Sequence, residues 1–276
     1  MQPQNHIYTT TVGGRPVTFE SGKLAHQAGG SVTVRLGDSI VFAAATMSAQ
    51  PRDAADFFPL TVEYEERLYA GGRIPGSYFR REGRPGEDAI LVARLTDRPI
   101  RPLFNKDIRN EVQVIMFSLS ADPENPLDIL AVNAASAALM ISDIPWAGPV
   151  GAVRVARVDG QFIVNPTFQQ MEVSDLDLRI AGTSDAILMV ECGALEIPED
   201  VMVEALMLGH QSIQSLVELQ KQMAAELGKP KREVPTFPLD ASMLEKVTQM
   251  SSARIHENLD APHDKAGLSQ AMQALE

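Results

Sequence analysis

The sequence is poor in the residues that most often carry chemistry: one cysteine, five histidines and one tryptophan in 276 residues. A single cysteine, Cys192, excludes an internal disulfide and a thiolate cluster for zinc. Set in the apolar run ILMVECGALEI, it reads as a packing residue. His6, His26, His210, His256 and His263 have no metal-ligand spacing, and no Ser–His–Asp set presents itself. No Gly-x-x-x-x-Gly-Lys-Ser/Thr run is present, so a phosphate loop for nucleoside triphosphates is not supported. No stretch approaches the roughly 18 apolar residues of a membrane helix. The opening MQPQNHIYTT has neither the basic start nor the apolar run of a signal peptide. A cytoplasmic protein without membrane contact is the expectation.

What the chain has in excess is acid. Its net charge is −12, with 36 Asp and Glu against 24 Lys and Arg. This argues against non-specific coating of nucleic acid, but the excess is uneven. Residues 67–109 hold ten Arg and Lys against five acids, a local surplus of +5. The densest part is GGRIPGSYFRREGRPGED, residues 71–88. Arg80, Arg81 and Arg84 offer planar bidentate donors suited to phosphate. Tyr78 and Phe79 offer faces on which bases stack without being read, at about 1–3 kcal/mol per base. Gly71, Gly72, Gly76, Gly83 and Gly86 leave room for a backbone to approach. Steps of three and four place Arg94, Arg98 and Arg101 on one side of the following helix, as further guanidinium for RNA or as partners for Glu82, Glu87 or Asp97.

Residues 6–48 alternate polar and apolar around Gly13-Gly14 and around Gly37-Asp38, which predicts two hairpins. FFPLTVEYEERLYA predicts a strand with Leu60, Val62 and Tyr64 on one face. EDAILVARLTDRPIRPLF predicts a helix ending near Pro99. A strand over EVQVIMFSLS, a buried helix over PLDILAVNAASAALMISDI, a hairpin turning at Asp159-Gly160 and two strands over DLDLRIAGTSDAILMVECGA follow. Hairpins among helices predict a mixed sheet and an α+β class. Beyond Pro198, Met202, Leu206, Ile213, Leu216, Met223 and Leu227 share one helical face, which predicts one helix closed by Gly228 and Pro230. KPKREVPTFPLD predicts a linker and the remainder two helices. Asp175 and Asp177 lie two apart on a strand, a candidate magnesium pair or a solvated edge.

DFFPLTVEYEERLYAGGRIPGSYFRREGRP followed by ARLTDRPIRPLF resembles the first RNase PH-type half of the bacterial polynucleotide phosphorylase family. The similarity extends through NEVQVI, NAASAAL, IPWAGPVGAVRV and LDLRIAGT. It implies an RNase PH-like domain over residues 1–210 and an incomplete all-α linker domain over 211–276. It also implies a ring-shaped homotrimer that degrades RNA from the 3′ end with inorganic phosphate, and partners in RNA-degradation complexes. The family's Phe-Phe-Arg-Arg loop reads Tyr78-Phe79-Arg80-Arg81 here, and these residues with Arg84 are expected to meet single-stranded RNA.

The family's phosphate-binding Gly-Ser-Ser element and its magnesium-binding aspartates belong to a second half. Here NPLDILAVNAASAAL has no paired serines before its helix. Asp177 and Arg179 resemble the family's Asp-x-Lys, but the second acid falls at Met171. The expectation is no catalytic residue in this chain, with Asp177 a weak metal candidate. The rival expectations are a half that retains phosphorolysis by itself and a structural domain whose arginines pair internally.

Overall fold

The computed structural model describes residues 4–52, 55–74, 76 and 83–275. They form two compact units, residues 1–235 and 236–276.

The first unit begins with an antiparallel run of β1 (His6–Val12), β2 (Arg15–Ser21), β3 (Gly30–Leu36) and β4 (Ser39–Pro51). Gly13 and Gly14 have φ of 57° and 77°, the double positive φ of a two-residue hairpin, and Gly37 at 61° turns the next. Strands β5 (Leu60–Glu65) and β6 (Asn110–Ser120) complete a six-stranded sheet in the order β1-β2-β3-β4-β6-β5. Its one parallel pair is β5 with β6. A parallel pair needs a crossover, and α1 (Glu87–Ile100) supplies it. The arginine-rich loop therefore leaves the C-terminal end of β5 and enters α1. This helix carries Pro99 buried in its last turn and runs one residue past it.

Helix α2 (Asp128–Ile141) has twelve of its fourteen residues buried. Alanines at 131, 134, 135, 137 and 138 let sheets and helices approach closely, and the few polar side chains are all used. Asn133 Nδ2 donates to Ile129 O and to Ala152 O, both at 2.9 Å, and its Oδ1 accepts from Ala152 N at 3.0 Å. Ser136 Oγ donates to Gln220 Oε1 at 2.6 Å and accepts from Val150 N at 2.9 Å. Gln220 Nε2 closes the loop on Val150 O.

The second sheet, β10-β9-β7-β8, comprises β7 (Gly151–Val158), β8 (Gln161–Val164), β9 (Leu176–Gly182) and β10 (Ile187–Ala194), all antiparallel. Asp159 and Gly160 make the hairpin turn with positive φ. The short α3 (Phe168–Glu172) is held by a Thr167–Gln170 capping box. Cys192 corrects its reading as core: it lies exposed on edge strand β10.

The single helix predicted after Pro198 is two, α4 (Glu199–Ser212) and α5 (Gln214–Leu227). Side chains replace backbone partners at the break. Ser212 Oγ donates to Leu208 O, and Gln214 Nε2 takes His210 O, the carbonyl that an unbroken helix would give to the Gln214 amide. Ile213 at the junction stays fully buried, which keeps the apolar face continuous. Helix α5 packs on α2 and β1.

The first residues of the predicted linker are bound rather than free. Lys229 N donates to Ile141 O and Arg232 N to Asp143 O. Lys231 Nζ donates to the carbonyls of Leu139, Met140 and Ser142 at 2.8–3.0 Å, closing the C-terminal end of α2. The Arg232 guanidinium holds the Asp143 carboxylate at 2.9 Å.

In the second unit, α6 (Ala241–Asp260) and α7 (Lys265–Gln273) are N-capped by Asp240 and Asp264. Asn258 Nδ2 donates to Ala271 O across the pair. Neither helix has a buried residue. Among the described residues, no helix is long and apolar enough to cross a membrane.

The tightest helix–sheet approach yields a stability test. A Cβ on Gly30 would lie 2.1 Å from Ala138 O and 3.0 Å from Ser142 Cβ. Gly30→Ala is expected to cost about 1–3 kcal/mol or more, because neither the β3 nor the α2 backbone can yield cheaply. Denaturant unfolding measures it.

Candidate nucleic-acid interface and the adjoining cleft

The loop rises from a short 3-10 turn, Leu68–Gly71, closed by Gly72 at φ 67°. The turn is fixed to the end of β6: Arg67 N donates to Ser118 Oγ, and Ala121 N donates to Ala70 O, both at 2.9 Å. Arg67 also lays its guanidinium over the Phe117 ring, 4.8 Å from the centroid. Tyr78, Phe79, Arg80 and Arg81 lie outside the described residues. Arg84 is described and exposed, two positions before Gly86, the N-cap of α1.

The supporting arginines divide. Arg94 is exposed on α1. Arg98 pairs with Glu191 of β10, a partner the sequence reading did not name. Arg101 grips Asp97 through Nε at 2.9 Å and Nη2 at 2.7 Å, and also donates to Leu60 O. Internal ion pairing therefore holds for Arg98 and Arg101.

Beside the loop's two ends lies a cleft of about 460 Å³. Glu66 from the loop's entry and Asp88 from its exit both line it. Burial, then the neighbouring Asp88 charge, pushes the Glu66 carboxyl above its ordinary range. Asp122 also lines the cleft. Although burial opposes its charge, bonds from Asn125 and from the backbone amides of Glu124, Asn125 and Asp38 hold it below its ordinary value.

The cleft's guanidiniums come from neighbouring strands, because Arg154 of β7 is the register partner of Arg179 of β9. Arg154 Nε and Nη2 each donate to a different oxygen of Asp177 at 2.7 Å. Arg179 Nη2 lies 3.3 Å from Asp177, and its Nε donates to Asp128 at 2.8 Å. Arg154 Nη1 is 3.6 Å from Asp128. Burial opposes the charge of Arg179, but Asp128 and Asp177 outweigh it and raise its pKa. Asp175 is taken by Arg157 at 2.7 Å.

Asp175 and Asp177 are thus each committed to arginine. Asp177 stands between two guanidiniums, a donor set that does not fit magnesium. The sequence reading singled out Asp177 and compared Arg179 with a family lysine, but it missed Arg154 and Asp128. Isolated charges inside the apolar strand GAVRVARV and at the head of an apolar helix were the available signal.

Two small sheets with helices packed on them, and an arginine-rich loop at the parallel crossover, define an RNase PH-type α+β domain. Family models agree. Residues 13–145 match domain 1 of the 3′ exoribonuclease family and residues 148–212 match domain 2, and the chain belongs to that family. The curated relatives include polyribonucleotide nucleotidyltransferases from Heliobacterium modesticaldum, 50% identical over 98% of this chain and 38% of that protein, and from Thermus thermophilus, 59% identical over 83% and 32%. The chain therefore spans about a third of the length of these relatives. Among solved structures the fold matches an Archaeoglobus fulgidus exosome chain, from a structure with RNA bound to the active site, at TM-score 0.56 and 22% identity. That match covers 78% of this chain and 87% of the other. Rice Rrp46 matches at TM-score 0.60 and 16% identity, covering 78% and 96%.

The two kinds of arginine should respond differently to removal. Arg154→Ala strips a cation from two carboxylates, of which Asp128 is 12% and Asp177 29% exposed. The expected cost is about 2–3 kcal/mol, below the 3–5 of a fully buried pair. Arg101→Ala, at a more exposed pair, should cost about 1 kcal/mol or less. Thermal and urea unfolding of the two variants gives the comparison.

Proposed function

We propose that this chain is the RNA-guiding RNase PH-type half of a polyribonucleotide nucleotidyltransferase, a 3′→5′ phosphorolytic exoribonuclease, and does no chemistry by itself. One observation carries the reading. The loop segment that concentrates arginine, aromatic rings and glycine opens beside a cleft whose own two guanidiniums are already neutralised by Asp128 and Asp177. The cleft thus offers no guanidinium free of a carboxylate among the described residues, and this reading assigns the phosphate-binding charge to the loop.

In this reading Tyr78 and Phe79 stack on single-stranded RNA and Arg80, Arg81 and Arg84 meet its phosphates. Of the supporting set, Arg94 has no ion pair among the described residues, so it is the one best placed to add to them. In the whole enzyme, three copies bring three such loops around one channel. Magnesium and inorganic phosphate serve the second half, outside this chain, where the chemistry is carried out; the enzyme acts in the cytoplasm, in mRNA degradation and beside other RNA-degrading proteins. The RNase PH-like domain is assigned to residues 1–210 and the linker domain to 211–276. Helix α5, the first helix wholly within the linker assignment, packs on α2.

Two measurements test this. Arg80→Ala with Arg81→Ala should weaken binding to all single-stranded RNAs about equally. It should also flatten the log–log salt dependence by about 0.7 for each phosphate no longer engaged. A changed sequence preference with an unchanged slope would count against phosphate contacts, and unaltered binding would favour the structural reading. Separately, the 276-residue chain incubated with poly(A), phosphate and magnesium should release no ADP. ADP above a no-enzyme control, abolished by Asp177→Ala, would show that this half retains phosphorolysis.

A further inference from the structure

Strands β5 and β6 run parallel, with Tyr64 opposite Met116 and Glu65 opposite Phe117 as the last register pair. The ladder opens with Val112 N donating to Pro59 O at 2.9 Å. Carried forward in this register, it would give the Arg67 amide to the backbone carbonyl of Ser118. The Ser118 side chain takes the amide instead, at 2.9 Å from N to Oγ. The chain thus leaves the sheet on a hydroxyl where a strand would have gone on to a carbonyl. Ser118 is 2% exposed, so its hydroxyl must find its partners inside the protein.

A second set of contacts fixes the same few residues. Ala121, just beyond β6, donates its N to Ala70 O at 2.9 Å, and Gly72 N and Arg73 N close the 3-10 turn on Tyr69 O and Leu68 O. Arg67 lays its guanidinium on the Phe117 ring and reaches Glu65 at 2.6 Å. Phe117 in turn lies beside Phe42 of β4, with ring planes 2° apart. Residues 67–73 are therefore seated on the end of β6, and Ser118 supplies a side chain of the sheet to the first of them. The arginine-rich segment starts from this seat.

We propose that Ser118 is a positioning residue for the arginine-rich loop: its buried hydroxyl fixes the direction in which the chain leaves β5, and with it the place from which the loop meets single-stranded RNA. Ser118 acts through the Arg67 amide and touches no RNA. The proposal deepens the RNA-guiding reading and rests on it for its consequence, while the hold of Ser118 on Arg67 stands apart from it. A positioning residue and a contact residue leave different marks on binding. Removing a phosphate contact reduces the counterions released and flattens the salt dependence. Removing a positioning residue leaves the same phosphates engaged, but the root of the loop must then be ordered on binding, which lowers affinity at every salt concentration alike.

The test compares the 276-residue chain as wild type, as Ser118→Ala, which removes the acceptor, and as Ser118→Thr, which keeps a hydroxyl on a residue suited to a strand. A fluorescent oligo(A) is titrated at several salt concentrations. The alanine variant should bind about fivefold more weakly with an unchanged log–log salt slope, and threonine should restore the affinity. Without RNA, trypsin should cut after the exposed Arg73 and Arg84 about fivefold faster in the alanine variant than in wild type. Exchange of the wild-type Arg67 amide should be slowed as it is for amides of β6. A folded alanine variant with wild-type affinity or unaltered cutting overturns the proposal, as does a flattened slope or a folded threonine variant as weak as alanine. A wild-type Arg67 amide that exchanges freely also overturns it, and this measurement decides the matter if the alanine variant does not fold. Wild type that binds no oligo(A) overturns the RNA-guiding reading alone, and the trypsin and exchange results then judge the positioning by themselves.

Discussion

Helix α2 has no face for water, and the first unit is arranged around that constraint. A helix buried on every side must be packed from several directions. Strands β3 and β4 take one side, while α1, β7 and α5 take others. Buried polar groups must also find partners, and Asn133, Ser136 and Gln220 meet this by tying α2 to β7 and α5. These bonds specify which elements meet, because an apolar helix alone would slide. The positions of the loop, the cleft and the lysine-bound end of α2 all follow from how this helix is held.

Much of the fold could be read from residue patterns. Gly13-Gly14 and Asp159-Gly160 announce hairpins because few other residues take two successive positive φ values. The alanine-rich helix announces its burial. The break between α4 and α5 could not be read, because Ser212 and Gln214 act on backbone carbonyls while the apolar periodicity runs on through Ile213. Cys192 misled because an apolar run was taken as interior, whereas an edge strand exposes one side and one edge. The loop segment was found through its composition and its family motif. The arginine–aspartate group was not, since Arg154 meets Arg179 only through strand register and meets Asp128 only through the packing of α2.

The division of charge follows from the same geometry. In a chain of net charge −12, an arginine within reach of the cleft finds an acid. Arg154 and Arg179, which line it, do so, as does Arg98 with the cleft's Glu191. Arg84 and Arg94, which are exposed and have no ion pair among the described residues, leave their charge to the solvent.

The cations that follow α5 have a mechanical consequence. Lys229 and Arg232 bond through their backbone amides to the residues closing α2, and Lys231 through its ammonium to three carbonyls there. Tension applied along the chain beyond Pro235 would reach these bonds before it reached α5. It would be carried into the most deeply buried helix of the unit. The strap would thus take such a load before α5 and the sheet beneath it.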